Sequence, residues 1–128
     1  MIVKSFELSK IKLNNYKFYL FYGDNEGLKE ETIKNLFEKN YLDKIQRFEE
    51  KEILDNINNF FNSVLTKSFF DNEKLIIINR ATDKIRTTIE ELIERNPEDI
   101  KIILNSKNLE KKSSLRKLFE KEKSIVCA

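Results

Sequence analysis

The chain has 128 residues, 24 Lys and Arg against 22 Asp and Glu, a formal net charge of +2, and 40% hydrophobic and 36% charged residues. That length supports one hydrophobic core rather than two, and the near balance of charge does not by itself point to nucleic acid. A single cysteine excludes an internal disulfide, the absence of histidine removes the commonest metal ligand and general base, and no apolar run approaches the roughly 20 residues of a membrane span.

From the N-terminus, Met1 to Glu7 lacks the apolar core and cleavage site of a signal peptide, so a cytoplasmic protein is expected. Ile2 to Leu8 alternates weakly, as an edge strand does, and Lys10 to Lys17 reads as connecting chain. Phe18-Tyr19-Leu20-Phe21-Tyr22 is a central strand ending at Gly23. Asp24 or Asn25 caps the next helix, in which Leu28, Ile33, Leu36, Phe37 and Tyr41 fall on the inner side and Lys29, Glu30, Glu31 and Lys34 face water. Lys44 to Phe48 alternates like a half-covered strand near a sheet edge. Ile53, Leu54, Ile57, Phe60, Phe61, Val64 and Leu65 then form the clearest helical pattern in the chain, expected as one helix.

Leu75 to Ile78 is an unbroken apolar run, as in a strand covered on both faces of a parallel sheet. Ile85, Ile89, Leu92 and Ile93 predict a helix that Asn96-Pro97 stops. Ile100 to Leu104 is a further strand, Leu115, Leu118 and Phe119 mark a short basic helix, and Ser124 to Cys127 begins a last strand, with Cys127 a small buried residue. Alternating strands and helices imply an α/β fold with a mainly parallel, five-stranded sheet between helical layers. Ending on such a strand, the chain is expected to be a domain of something longer.

A strand running into glycine and then a helix is where a phosphate-binding loop belongs. Counted from Gly23, Lys29 occupies the lysine position of G-x-x-x-x-G-K-[ST], but Leu28 stands at the second glycine and Glu30 at the hydroxyl. Asn79 and Arg80 follow the Leu75–Ile78 run where a metal-holding acid is needed. No catalytic residue, metal site or cofactor is therefore expected, and Lys29 reads as a solvated helix lysine. The runs Glu30-Glu31 and Glu49-Glu50 read as exposed faces, and Arg116-Lys117 as a solvated basic face. Phe69 and Phe70, adjacent at a turn, either present an aromatic anchor to a partner or pack together as a staple under the helix end.

Three stretches together carry a resemblance. Tyr19-Leu20-Phe21-Tyr22-Gly23-Asp24-Asn25-Glu26-Gly27-Leu28-Lys29-Glu30-Glu31 resembles the opening strand and degenerate phosphate loop of the delta subunit of bacterial DNA polymerase III, close to the form of alphaproteobacterial members. Ser68-Phe69-Phe70-Asp71-Asn72-Glu73-Lys74 and the strand after it are similar to the family's Ser-Leu-Phe turn, and Asn108 to Lys117 to its Leu-Asp-Lys-Arg-Ser-x-Leu helix opening. The resemblance implies an N-terminal domain, residues 1–128, of the P-loop/AAA+ type in three layers, followed in the family by a helical lid and a collar domain. It implies a clamp-loader subunit that binds and helps open the sliding clamp during DNA replication without hydrolysing ATP. Ser68, Phe69 and Phe70 are then the clamp-binding residues, and Gly23 and Lys29 belong to a degenerate phosphate loop. Implied partners are the sliding clamp, the other loader subunits and, indirectly, primed DNA. Two rivals are a weak nucleotide-binding or ATPase domain of the same fold using Lys29, and a nucleic-acid-binding module using the lysine-rich stretch from Lys107 to Lys123.

Overall fold

The computed structural model describes residues 2–3, 16–41, 44–65, 73–95, 97, 100–121 and 124–127, without the side chains of 2, 3, 40, 121 and 124–127. Its strands are β1 (Ile2–Val3), β2 (Phe18–Phe21), β3 (Ile45–Glu49), β4 (Lys74–Asn79), β5 (Ile100–Asn105) and β6 (Ser124–Cys127). They form one parallel sheet in the order β1-β6-β2-β5-β4-β3. The sheet thus has six strands, not the five expected. The extra one is Ile2–Val3, where the weak alternation lies.

Helix α1 (Glu26–Ile33) runs through a π-helical turn (Lys34–Glu38) into α2 (Lys39–Tyr41), all between β2 and β3. Helices α3 (Glu50–Asp55) and α4 (Ile57–Leu65) join β3 to β4, α5 (Arg86–Arg95) joins β4 to β5, and α6 (Ser114–Lys121) joins β5 to β6. The step from β2 to the far edge at β3 runs opposite to the three later steps, and right-handed crossovers then put its helix on the opposite face. The packing follows that rule. Ile33 and Phe37 pack with Tyr19, Phe21, Leu75, Ile77 and Ile103. On the other face Ile53, Phe60, Ile89, Leu92, Leu115 and Phe119 pack with Leu20, Ile76, Ile78, Ile102 and Leu104.

Leu75 to Ile78 are all buried, alternating between the two cores, as a strand covered on both faces requires. Each such side chain contributes roughly 1.5–3 kcal/mol of burial. The single helix expected over Ile53 to Leu65 is instead two. Asn56 leaves helical geometry at φ −152° and its Oδ1 accepts from the Asn59 backbone N–H at 3.1 Å, starting α4 afresh. Residue Ile57, in that new first turn, is exposed. On the same face Asp83 accepts from Ser113 Oγ at 2.6 Å and from Leu115 N at 3.0 Å, tying the 3-10 turn before α5 to the start of α6. Among the described residues no helix is long and apolar enough to cross a membrane.

Candidate functional site

The C-terminal ends of β2, β5 and β4 open into a crevice beside the N-terminus of α1. Strand β2 delivers the chain to Gly23, whose φ of +131° is a conformation that L side chains rarely adopt. Space is not the constraint there, because a Cβ on Gly23 would meet nothing within 4 Å. The glycine turns the chain so that Asn25 caps α1, its Oδ1 accepting from Leu28 N at 3.0 Å. Helix α1 therefore starts at the strand ends, as a phosphate-binding helix would.

Lys29 departs from the sequence expectation. It is buried at 6% exposure rather than solvated. Its ammonium donates to Glu26 Oε1 at 2.7 Å and to the Ser106 carbonyl at 2.5 Å. Burying a lysine is tolerable only where such partners replace water. The Lys29 hydrogen bond is also the main reason the Glu26 carboxyl is held below the usual carboxylate range, with the charge of Lys107 and a hydrogen bond to Asn105 adding to it. Lys29 is thus a brace between α1 and the end of β5. Its neighbour Leu28, expected on the inner side, is exposed at 45% because the first turn presents position 29 to the sheet.

The ends of β4 and β5 form the rest of the crevice wall. Asn79 ends β4, and its Oδ1 accepts from Asn105 Nδ2 at 3.4 Å. Arg80 adopts φ +56° and lies with Nε 3.6 Å from Glu49 Oε2, its side chain mostly in water. Together Glu26, Glu30, Glu49, Asn79, Arg80, Asn105, Ser106 and Lys107 line a cavity of about 510 Å³. Three carboxylates, Glu26, Glu30 and Glu49, and two cations, Arg80 and Lys107, therefore line this space. Among the described residues no group of three or more His, Cys, Asp or Glu side chains is arranged to hold a metal ion.

Of the residues singled out from sequence, Gly23 turns the chain from β2 toward α1, and Lys29 on that helix reaches the Ser106 carbonyl after β5. Ser68, Phe69 and Phe70 lie outside the described residues. Cys127's side chain does too. Sequence reasoning missed Glu26 and Ser106 as partners of Lys29. The i, i+3 spacing of Glu26 and Lys29 was a usable signal, whereas the Ser106 carbonyl lies 77 residues away and has no local signature.

A second cluster the sequence did not suggest sits at the N-terminal edge. Tyr19 Oη donates to the Tyr16 carbonyl at 2.9 Å, and Lys101 Nζ lies 6.0 Å from the Tyr19 ring centroid. Burial first pushes the Tyr19 and Tyr41 phenols well above the ordinary tyrosine range, followed by the neighbouring Tyr41 and then Glu73 for Tyr19, and by Glu73 for Tyr41. Burial lowers Lys101, against the opposing pull of Glu73.

Residues 19–128 match the family model for the delta subunit of DNA polymerase III, and the chain belongs to that family. No curated protein matches it.

Proposed function

We propose that this member of the DNA polymerase III delta subunit family is a clamp-loader domain that binds the ring-shaped sliding clamp and helps open it during DNA replication. The observation that carries the reading is the family match over residues 19–128. The domain is a non-catalytic part of an assembly whose overall activity is that of a DNA-directed DNA polymerase. A parallel sheet with a crevice at its C-terminal edge, next to a helix N-terminus, supports a P-loop/AAA+-type fold. The brace at Lys29, with Glu30 beside it and Asn79-Arg80 at the end of β4, supports a subunit that does not hydrolyse ATP of its own. Binding of the clamp falls to Ser68, Phe69 and Phe70, with an aromatic entering a pocket on the ring as the anchor. Energy for opening comes from preferring a distorted ring, and release follows when neighbouring loader subunits change state. The setting is cytoplasmic, with the other loader subunits as partners and primed DNA reached through the assembly.

A second reading, weak nucleotide binding in the crevice, is favoured by one observation. Two buried polar atoms on its wall, Asn105 Oδ1 and Ser106 Oγ, have no partner. Titrating the clamp with this chain, with and without Mg-ATP, separates the two. The proposal expects binding that is indifferent to nucleotide. Binding that requires ATP, together with an ATP-raised unfolding midpoint, overturns it in favour of the second reading.

A further inference from the structure

At the end of β5 the chain fixes two residues by their backbones and leaves polar atoms of their side chains unused. The Asn105 carbonyl accepts from the Ala81 backbone N–H at 3.0 Å. The Ser106 N–H donates to the Phe21 carbonyl at 2.8 Å, and the Ser106 carbonyl accepts from Lys29. Both residues are more than nine-tenths buried, at 5% and 1% exposure. Asn105 Nδ2 is spent on Asn79 Oδ1. Among the described residues, however, Asn105 Oδ1 and Ser106 Oγ have no hydrogen-bond partner, and both residues line the cavity of about 510 Å³. Buried polar atoms are normally satisfied, so such a pair on the wall of a crevice marks a place for a ligand.

A third atom joins them. Glu49 Oε2 is buried on the wall of the same cavity and accepts no hydrogen bond, since Arg80 Nε approaches it only to 3.6 Å. Glu49 is held at the end of β3, where its N–H donates to Glu52 Oε1 at 3.1 Å. What this wall lacks is donors. An amide oxygen and a carboxylate oxygen only accept, whereas a hydroxyl does either. An ionised phosphate brings acceptors alone, so it would serve Ser106 and leave the other two unmet. A guanidinium brings a planar fork of N–H donors and a charge opposite to that of Glu49, and can meet all of them. The chain's own Arg80 already approaches Glu49 from solvent, with its side chain 83% exposed and its backbone at φ +56°. The other charges on the wall nearly cancel, with Glu26 paired to Lys29 at 2.7 Å and Glu30 offsetting Lys107.

We propose that the crevice is a binding site for a guanidinium group, with Glu49, Asn105 and Ser106 as its acceptors and Arg80 as the weakly held cation it displaces. The site is independent of the clamp contact, and its occupant is not the nucleotide of the second reading. Its acceptors are fixed before binding by the backbone bonds of β3 and β5, so little ordering is needed when the ligand enters. The N-terminus of α1 does not turn the crevice into an anion site, because Asn25 takes the Leu28 N–H and Glu26 already occupies the first turn.

The test titrates the full chain with propylguanidinium, and with propylurea as its neutral isostere, while backbone amide resonances are followed. The expected result is saturable shifts at Asn79, Arg80, Asn105 and Ser106, with propylurea bound about tenfold more weakly. Glu49→Gln keeps the shape, removes the charge and should weaken propylguanidinium binding about tenfold. Arg80→Gly, which suits φ +56°, removes the competing cation and should strengthen it about threefold. The amide spectrum of each variant checks its fold. An arginine flanked by glycines, with both ends blocked, identifies the source. If it binds as well, the site takes a protein side chain; if propylguanidinium alone binds, it takes a free small guanidine. Absence of shifts at those amides in the wild type overturns the proposal, and so does an equal response to propylurea. Inorganic phosphate or Mg-ATP shifting the same amides, with Arg80→Gly weakening that binding, overturns it in favour of an anion site.

Discussion

Lys29→Met is the substitution that most sharply separates a brace from a phosphate ligand. Methionine keeps most of the buried stem and removes the ammonium. Lost with it are the 2.5 Å bond to the Ser106 carbonyl and the 2.7 Å bond to Glu26. A charge-assisted bond of the first kind contributes about 1.5–3 kcal/mol. The Glu26 side is 51% exposed, so its pairing adds at most ~0.5 kcal/mol after solvent screening. Relief of the ammonium's desolvation works against both. The net expectation is a loss of about 1–3 kcal/mol, or a midpoint lowered by roughly 3–5 °C for each kcal/mol in a domain of this size. Thermal unfolding of wild type and variant, each with and without Mg-ATP, reads it. The reasoning is refuted if the variant is as stable as wild type and Mg-ATP raises the wild-type midpoint, since Lys29 would then be serving phosphate.

Gly23→Ala should lower stability by about 1–3 kcal/mol in urea unfolding. The cost is purely conformational, because the new Cβ meets nothing, and Mg-ATP should leave it unchanged. Asp83→Asn should weaken the junction of α5 and α6 by about 1 kcal/mol near neutral pH. Hydrogen bonds from Ser113 and from the Leu115 backbone hold the Asp83 carboxyl below the usual aspartate range. Its contribution is therefore fully present above the unfolded value of about 3.9 and is lost as pH falls through the lower native pKa. Wild-type and variant stabilities measured by denaturant titration across pH 2 to about 7 should converge at the acid end; a constant difference would contradict the assignment.

How much was legible in the sequence depended on whether local pattern decided the outcome. The runs Phe18 to Phe21, Leu75 to Ile78 and Ile100 to Leu104 are buried on both faces, so their apolar character, broken only by Lys101, announced them, and β3 was readable as a half-covered edge. Periodicity names an element's type and inner face without naming its neighbours, so the position of β2 between β6 and β5 was not readable. Nor does it report continuity. Ile53 through Leu65 keep one helical spacing across the break at Asn56 because α3 and α4 bury the same side. At the crevice, the misfits Leu28, Glu30, Asn79 and Arg80 were visible as residue types. The burial of Lys29 was not, because it depends on a carbonyl supplied by the far end of β5.

The central claim is that this chain grips the sliding clamp through Phe69 and Phe70, and one comparison tests it most directly. Binding of the wild-type chain to the clamp of the same organism is titrated beside Phe69→Ala with Phe70→Ala, and circular dichroism checks that both are folded. The account predicts a folded double variant whose clamp binding is lost, since a buried aromatic anchor contributes a few kcal/mol, roughly a hundredfold or more in affinity. A double variant that binds as tightly as wild type would contradict it.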